Sequence, residues 1–260
     1  MNLTRKKLGS ILIAIVTVFA VILVMQQQPI VQDSSYHQFS DQRLLLGMAN
    51  FFNVFSNLAF VLVAIYGIVT LYPFTPSRYL FEIRYLYLLF YIAVALVALG
   101  SGYYHLQPDN QSLFWDRLPM TMAFMLLFAV IVAEYVSIRL AKFICWPLLA
   151  IGAFSVLYWQ YSEINGISDL RIYVLVQFLP MLIIPIILVF FTKKRSATLG
   201  YWQLLVAYLL AKLCEYFDQE IYTLLGAISG HSLKHLLAAA GIGLLIRAYQ
   251  HRELNAAGER

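Results

Sequence analysis

The stretch YLYLLFYIAVALVALGSGYYHL, residues 85–106, contains no Asp, Glu, Lys or Arg. A helix needs about 20 apolar residues to cross the hydrocarbon core of a bilayer, so this stretch predicts a transmembrane helix. Barrel strands would alternate apolar and polar residues, and this stretch does not. Seven further apolar blocks lie at residues 8–25, 49–72, 117–138, 143–160, 170–192, 201–218 and 230–248.

The composition excludes a soluble globular protein. The 260 residues are 62% hydrophobic and 12% charged, whereas soluble domains contain about 25% charged residues. The net charge is +5, but the basic residues form no patch with interleaved aromatic residues, so no nucleic acid partner is expected. We predict an all-α, polytopic membrane protein. Its parts are an N-terminal transmembrane anchor (residues 1–30), a seven-helix transmembrane domain (31–250) and a cytoplasmic tail (251–260).

The positions of Lys and Arg predict the orientation. These residues are enriched in cytoplasmic loops, and here they concentrate in alternate polar segments, including both termini. Both termini are therefore expected in the cytoplasm, and the acidic segments on the periplasmic or lumenal side. The longest outer segment is 26–48, and the outer segments contain only three basic residues: Arg43, Arg117 and Arg171.

The first block could also be a secretory signal peptide, because it follows three basic residues. No clear small-x-small cleavage site precedes residues 25–28. We therefore interpret the block as an uncleaved membrane anchor.

Three histidines lie within the apolar blocks, where ionisable groups are costly and indicate function. His231 and His235 are four residues apart, so they project from one helix face and can bind one metal ion. His105 lies at matching depth and completes the three protein ligands of a catalytic zinc site. Ligand type alone also allows copper, iron or nickel. The alternative is that neutral histidines form interhelical hydrogen bonds.

Ser101 and Asp116 lie at the same depth as the histidines. The Ser101 hydroxyl can donate a hydrogen bond to an oxyanion, or it can bond to a carbonyl oxygen of its own helix. Asp116 can take a proton from a metal-activated water, or it can cap the N-terminus of its helix. The residues alone leave both pairs of roles open.

Other polar residues of the blocks indicate less. Lys212 and Glu215 are three residues apart and are expected to form a structural salt bridge, with a supporting role at the site as the alternative. Lys234 lies off the histidine face and is expected to extend outward. The second block contains three residues that suit interhelical hydrogen bonds as well as a site: Asn53, Ser56 and Asn57.

These motifs together resemble one family. They are Phe52-Asn53-x-x-Ser56-Asn57-Leu58, then Ser101-x-x-x-His105 with Asp116 eleven residues on, then Ser229-Gly230-His231-x-x-x-His235. The pattern resembles the alkaline ceramidase family, within a superfamily of seven-helix membrane hydrolases that includes the adiponectin-type receptors. The resemblance runs from about residue 41 to residue 243. It implies an amidohydrolase that cleaves the N-acyl amide of a ceramide-like lipid from the bilayer into a fatty acid and a sphingoid base.

The resemblance also implies roles for individual residues. Asp116 would activate the water and pass its proton toward the leaving amine, and Ser101 would stabilise the oxyanion. The Zn²⁺ ligands would be His105, His231 and His235. The resemblance indicates no protein partner.

The chain departs from the family at a calcium site. Animal members have an acidic, Trp-containing segment before the first core helix and a Glu three residues before the motif asparagine. Here that Glu position is Asn50, and only Asp33 and Asp41 are acidic nearby. A Ca²⁺ requirement is therefore doubtful.

Two other classes of function compete with a hydrolase. One is a receptor-like or lipid-sensing seven-helix protein with a structural zinc site. A carboxylate and a serine beside the histidines argue against it, because a structural site is expected to close its fourth position. The other is a transporter or haem protein. Transport predicts ionisable groups across the midplane, and histidines on one helix face do not suit axial haem ligation.

Overall fold

The computed structural model describes residues 3–72, 80–191 and 197–257, and its regular elements there are helices. A π-helical turn, Val132–Val136, follows the fifth helix. The α-helices are α1 (Leu3–Met25), α2 (Phe51–Phe55), α3 (Leu58–Leu71), α4 (Arg84–Leu106), α5 (Asn110–Ile131), α6 (Ile138–Ile164), α7 (Arg171–Phe190), α8 (Thr198–Tyr216), α9 (Asp218–Leu225) and α10 (Gly230–Ala257).

The long helices confirm an all-α, polytopic membrane protein. In the described part of the chain, six segments are long and apolar enough to cross a membrane: 4–25, 51–71, 81–106, 110–136, 138–164 and 171–190. The remaining long helices, α8 and α10, are less apolar because they contain the lysines, the glutamate and two of the histidines discussed above. One N-terminal helix and a seven-helix core account for all eight predicted blocks.

Several helices extend beyond the predicted bounds. Helix α5 begins at Asn110 instead of 117, because Asp109 and Ser112 form a capping box with each other's backbone N–H groups. Helix α6 begins at Ile138 instead of 143, where the Ser137 hydroxyl accepts a hydrogen bond from the Leu140 N–H. Helix α10 continues to Ala257, beyond the predicted end at residue 248. Capping residues in the polar segments account for the first two differences.

The second block, predicted as one helix, is divided into α2 and α3. The Ser56 hydroxyl and the Asn57 side-chain amide both donate hydrogen bonds to the Asn53 carbonyl oxygen, at 3.1 and 2.8 Å. Such local bonds compete with the regular helical pattern. The break turns Ser56 toward the interior of the bundle, where it is buried.

Helix α1 lies antiparallel against α7. Near the start of α1, Arg5 donates a hydrogen bond to the Val189 carbonyl oxygen at 2.6 Å. Just beyond its end, the Gln27 carbonyl oxygen accepts a hydrogen bond from Arg171 at 2.9 Å. Most of the apolar surface of α1 faces away from the bundle. Helix α1 is therefore an addition to the outside of the bundle, with Ile13 packed against the core.

Helices α4 and α5 pack closely along their lengths, as do α8 and α10. The approach of α5 to α4 is tightest at Gly100, where a Cβ atom would lie 2.0 Å from the Trp115 carbonyl oxygen. Only a residue without a side chain fits there. This contact holds Ser101 on α4 and Asp116 on α5 at one level.

We expect Gly100→Ala to destabilise the protein, because its Cβ would push against the α5 backbone. Overpacking of this kind costs about 1–3 kcal/mol, which lowers the melting temperature by roughly 3–10 °C. Thermal unfolding of the detergent-solubilised protein measures the change. The matched control is Gly102→Ala, because a Cβ at Gly102 meets nothing within 4 Å. Equal melting temperatures for the two variants would contradict the close approach.

Candidate metal centre and active site

The structure brings together the three histidines that the sequence singled out. His105 comes from the last turn of α4, and His231 and His235 come from the first turns of α10. All three are buried, and one ring nitrogen from each lies within 4.8 Å of the others. The Nε2 atoms of His105 and His231 are 3.3 Å apart.

This geometry fits a metal ion. Zinc binds imidazole nitrogen at about 2.0–2.1 Å, so two ligands of a tetrahedral site lie about 3.3 Å apart. The observed separation of the two Nε2 atoms, 3.3 Å, has this value. Each buried nitrogen also needs a partner, and one cation can serve all three. The cluster could therefore hold a metal ion, and three imidazoles are a donor set that suits Zn²⁺.

Ser56 orients the third ring. The Ser56 hydroxyl donates its hydrogen to the Asn53 carbonyl oxygen. The Ser56 Oγ atom therefore has a lone pair left with which it can accept a hydrogen bond. The Nδ1 atom of His235 lies 2.8 Å away and can be that donor. A proton on Nδ1 leaves Nε2 as the lone-pair nitrogen, which is the tautomer that a metal ligand needs. The break between α2 and α3 thus supports the histidine cluster.

Further hydrogen bonds hold the two histidine helices. The Asn50 side-chain amide donates to the His105 carbonyl oxygen at 2.9 Å. The Asn53 side-chain oxygen accepts from the Ser232 hydroxyl at 2.8 Å. These two asparagines therefore form interhelical links next to the histidines, which is one of the two alternatives that the sequence left open for Asn53. Asn50 has a φ of +50°, a left-handed conformation that Asn adopts more readily than most residues.

The N-terminal end of α10 is held by Asp218, one of the residues of the acidic segments on the histidine side. Its carboxylate accepts hydrogen bonds from the backbone N–H groups of His231, at 2.6 Å, and Ser40, at 3.0 Å. A carboxylate is favourable at a helix N-terminus, where the N–H groups have no helical partner. Asp218 therefore ties the two histidines of α10 to the segment before the core.

That segment, predicted as a long outer loop, covers the histidines. The Phe39 ring packs on the rings of His105 and His231, with centroids 4.7 and 4.6 Å apart. His37 lies 2.9 Å from both the Tyr104 hydroxyl and the Asn110 side-chain oxygen. No periodic pattern predicts this cover, because its contacts join residues that are far apart in the chain.

Asp41 and Arg43 fasten the end of the cover. The Arg43 guanidinium donates two hydrogen bonds to the Asp41 carboxylate, at 2.8 and 2.6 Å, and one to the Ala227 carbonyl oxygen at 2.6 Å. Burial acts to raise the pKa of Asp41, but the hydrogen bonds from Arg43 outweigh it and hold the pKa below its usual value. The carboxylate stays ionised, and the ion pair closes the segment against the α9–α10 loop.

Asp116 and Ser101 line one cavity together with His235. Both are buried, and the Ser101 hydroxyl lies beside the Asp116 carboxyl group. Asp109, not Asp116, caps α5. The capping alternative for Asp116 was therefore wrong, and its carboxylate faces the cavity.

The cavity has a polar end and an apolar end, with a volume of about 260 Å³. The polar end lies near the histidines. From there the cavity follows α4, α5, α7, α8 and α10 inward, and the distance from Ser101 to Phe90 along α4 corresponds to about 16 Å of helical rise. The deep end is lined by apolar residues that include Phe90, Val94, Leu127, Ile131, Ile184 and Ile242.

Lys212 and Glu215 form the predicted salt bridge, at 2.6 Å. The prediction for Lys234 was wrong, because this side chain does not extend outward. Its Nζ atom lies 2.6 Å from the second Glu215 oxygen, and it lines the cavity. Because α8 and α10 pack side by side, the Glu215 carboxylate of α8 lies within hydrogen-bond distance of this ammonium group on α10.

Arg117, which the sequence analysis placed among the basic residues of the outer segments, also lies inside the protein. Its side chain is 6% exposed and lines the cavity. The guanidinium carbon lies 4.4 and 4.7 Å from the ring centroids of Trp159 and Tyr173, a cation–π arrangement. One guanidinium nitrogen, Nη2, donates a hydrogen bond to Gln32.

The comparisons with known proteins identify the family of this chain. Residues 44–260 match the family model described as Ceramidase, and the chain belongs to this family. Membership supports ceramide-hydrolysing activity and a lipid substrate that comes from the membrane. The resemblance deduced from the motifs is therefore confirmed. The comparisons with curated proteins and with solved structures gave no match.

We expect purified protein to contain about one equivalent of zinc, which His105→Ala and His231→Ala should each reduce to background. Removing one of three imidazole ligands leaves too few donors to retain the ion. Elemental analysis of the detergent-purified protein measures the content. The control is His251→Ala, because His251 lies near the end of α10 and outside the cluster. Full metal content in His231→Ala would contradict the site.

We expect Ser56→Ala to weaken metal binding by about 10- to 100-fold, the usual effect of losing a hydrogen-bond partner of a ligand. Competition with a chelator of known affinity measures the change. The matched control is Ser155→Ala, because the buried Ser155 hydroxyl bonds to the Gly152 carbonyl oxygen within α6. Unchanged affinity in Ser56→Ala would remove Ser56 from the support of His235.

Proposed function

We propose that this protein is a zinc-dependent amidohydrolase that cleaves the N-acyl amide of ceramide-like lipids, releasing a fatty acid and a sphingoid base. One observation carries the proposal. A buried cluster of three histidines, a carboxylate and a serine adjoin a single cavity whose deep end is apolar. Family membership supports the ceramide-hydrolysing activity, and the donor set supports the metal.

The metal would be bound by His105, His231 and His235. When bound, a zinc ion would polarise the amide carbonyl group and lower the pKa of a water molecule. The hydrogen bond between Ser56 and His235 supports this assignment, because it selects the tautomer that a ligand needs. The Phe39 ring over two of the imidazoles excludes bulk water from that side.

Asp116 would move the proton. Its carboxylate accepts a proton from the attacking water as the water oxygen forms a bond to the acyl carbon. The same proton is then delivered to the amide nitrogen as the C–N bond breaks, so that the amine leaves neutral. Its position at the wall of the cavity supports this role, because capping of α5 is performed by Asp109.

Ser101 would bind the carbonyl oxygen of the amide. Its hydroxyl can donate a hydrogen bond to this oxygen, whose negative charge grows as the tetrahedral intermediate forms. Its position beside Asp116 supports the role. The fatty acyl chain would occupy the apolar end of the cavity, where Phe90, Leu127 and Ile184 exclude water.

The proposed orientation puts both termini in the cytoplasm and the active site toward the periplasmic or lumenal face. The concentration of Lys and Arg at the end of the bundle opposite the histidines supports it. The domain division carries over with it: an anchor at 1–30, the hydrolase domain at 31–250 and a tail at 251–260. A Ca²⁺ requirement stays doubtful. Asn50 occupies the position of the family's calcium-site Glu, and its side-chain amide donates a hydrogen bond to the His105 carbonyl oxygen.

We expect the purified protein to release fatty acid from a labelled ceramide, and a chelator to stop the release. Asp116→Asn should retain the metal but lower kcat by about 10²- to 10⁴-fold, the usual contribution of a general acid–base. Ser101→Ala should lower kcat by about 10²- to 10³-fold, as for the loss of an oxyanion donor. Product analysis by mass spectrometry with elemental analysis of each variant tests both.

The control is Asp33→Asn, an exposed carboxylate in the segment before the core, which should keep normal turnover. Normal hydrolysis by Asp116→Asn would remove Asp116 from the mechanism. Bound metal without release from any N-acyl lipid would overturn the hydrolase in favour of a receptor-like protein with a structural metal.

A further inference from the structure

The polar end of the cavity contains more charge than amide hydrolysis uses. Five charged side chains line it: Asp116, Arg117, Lys212, Glu215 and Lys234. Three cations against two carboxylates leave one positive charge, to which the charge of the proposed Zn²⁺ would add, because metal-binding histidines are neutral. Because charges inside a membrane protein are costly, a surplus of this kind beside the reaction site indicates a use.

The surplus positive charge comes from Lys212 and Lys234, which share one carboxylate. Glu215 lies between the two ammonium groups, and its oxygens are 2.6 Å from the Nζ atoms of Lys212 and of Lys234. The Tyr36 hydroxyl also donates to Glu215, at 3.3 Å. One carboxylate therefore serves two cations and a phenol. Each ammonium group has three N–H donors, and its bond to Glu215 engages one of them.

Arg117 provides a second, independent observation. The side chain is more than nine-tenths buried and is held by Gln32 and by the rings of Trp159 and Tyr173. Its Nη1 atom has no hydrogen-bond partner among the residues that the structure describes. A buried guanidinium nitrogen without an acceptor is unfavourable. An acceptor brought by a ligand would remove this cost.

We propose that the polar end of the cavity binds an anionic group on the amine side of the N-acyl lipid, a carboxylate or a phosphate a few bonds from the amide nitrogen. Lys234 and Lys212 would contact this group, and Arg117 would add a positive charge from the facing wall. The proposal rests on the proposed amide hydrolysis and specifies its substrate class. A sphingoid head with hydroxyl groups alone would leave the surplus charge unmatched.

The positions of the two lysines suit a substrate whose anionic head and acyl chain bind at different parts of the cavity. Lys234 lies between the metal-binding histidines of α10, one residue before His235 and three after His231, so it approaches the cavity at the level of the amide. Lys212 is one turn from Glu215 on the facing helix. The acyl chain would extend from this level toward the apolar end, so the head and the chain of the substrate would meet different walls.

N-Palmitoyl serine and N-palmitoyl serinol form a matched pair of probes, since they differ by one carboxylate in place of a hydroxymethyl group. We expect the wild-type protein to show a kcat/KM at least about tenfold higher for the serine compound, mainly through KM. Lys234→Gln should reduce the ratio toward one, and Lys234→Arg should restore most of it. The matched control is Lys142→Gln, on the exposed face of α6, which should leave the ratio unchanged.

A second pair, ceramide and ceramide 1-phosphate, distinguishes the source of the anion. A preference in the serine pair alone identifies a carboxylate, and a preference in the ceramide pair alone identifies a phosphate. Equal kcat/KM within both pairs would overturn the proposal while leaving the hydrolase intact. Loss of the preference in Lys142→Gln would also overturn it, because the effect would then not belong to the cavity.

A binding measurement separates this proposal from the hydrolase. A ligand that binds the folded protein raises its melting temperature. If no lipid is cleaved, the proposed function fails, but the serine compound should still raise the melting temperature more than serinol in the wild type and not in Lys234→Gln. Equal shifts for the two compounds would contradict the anion site by itself.

Discussion

Three imidazole rings meet in the buried interior of the bundle, where a polar atom depends on the protein for its hydrogen-bond partners. In lipid an unsatisfied polar group costs several kcal/mol, so this requirement shapes the surrounding structure. Ser56 reaches His235 only because the second span is broken. Asp218 and Asn50 occupy backbone groups of the two histidine helices. The site and its supports are thus one hydrogen-bonded unit that spans four helices and the covering segment.

The charged residues follow the same requirement. Each of the three arginines of the outer segments has its own partner: Asp41 for Arg43, Asp169 for Arg171, and aromatic rings for Arg117. The hydrogen bonds from Arg171 hold the pKa of Asp169 below its usual value, so that pair stays ionised as the Asp41 pair does. Arg117 alone among the three lines the cavity, which is why its contacts matter for substrate binding and those of the other two matter for the shape of the bundle.

The sequence predicted the parts of this molecule that depend on local pattern. Apolar length predicted eight helices, six of which are long and apolar enough to cross a membrane in the described part of the chain. The spacing of four between His231 and His235 predicted a shared face. It did not predict contacts between distant segments. Phe39 and Gln32 belong to a polar stretch without periodicity, and nothing near them in sequence indicates that they contact His231 and Arg117. The prediction for Lys234 was wrong for a related reason. Helical spacing predicts the face of the helix on which a side chain lies, but it does not predict that a carboxylate of another helix lies beside that side chain. For Asp116 the sequence leaves two roles open, and the Asp109 cap of α5 excludes one of them.

The pairing of α1 with α7 has a consequence for how the chain is made. Arg5 and Val189, which join the two helices at one end, are 184 residues apart in the chain, and the bond between Arg171 and Met25 at the other end spans 146 residues. At a synthesis rate of about 5–20 residues per second, α1 enters the membrane roughly 7–30 seconds before its partner exists. During this interval it must persist as an independent helix in lipid, which its almost unbroken apolar surface permits. The packing of α1 is therefore delayed relative to its synthesis: this helix is in the membrane well before α7, the helix that it packs against, has been made.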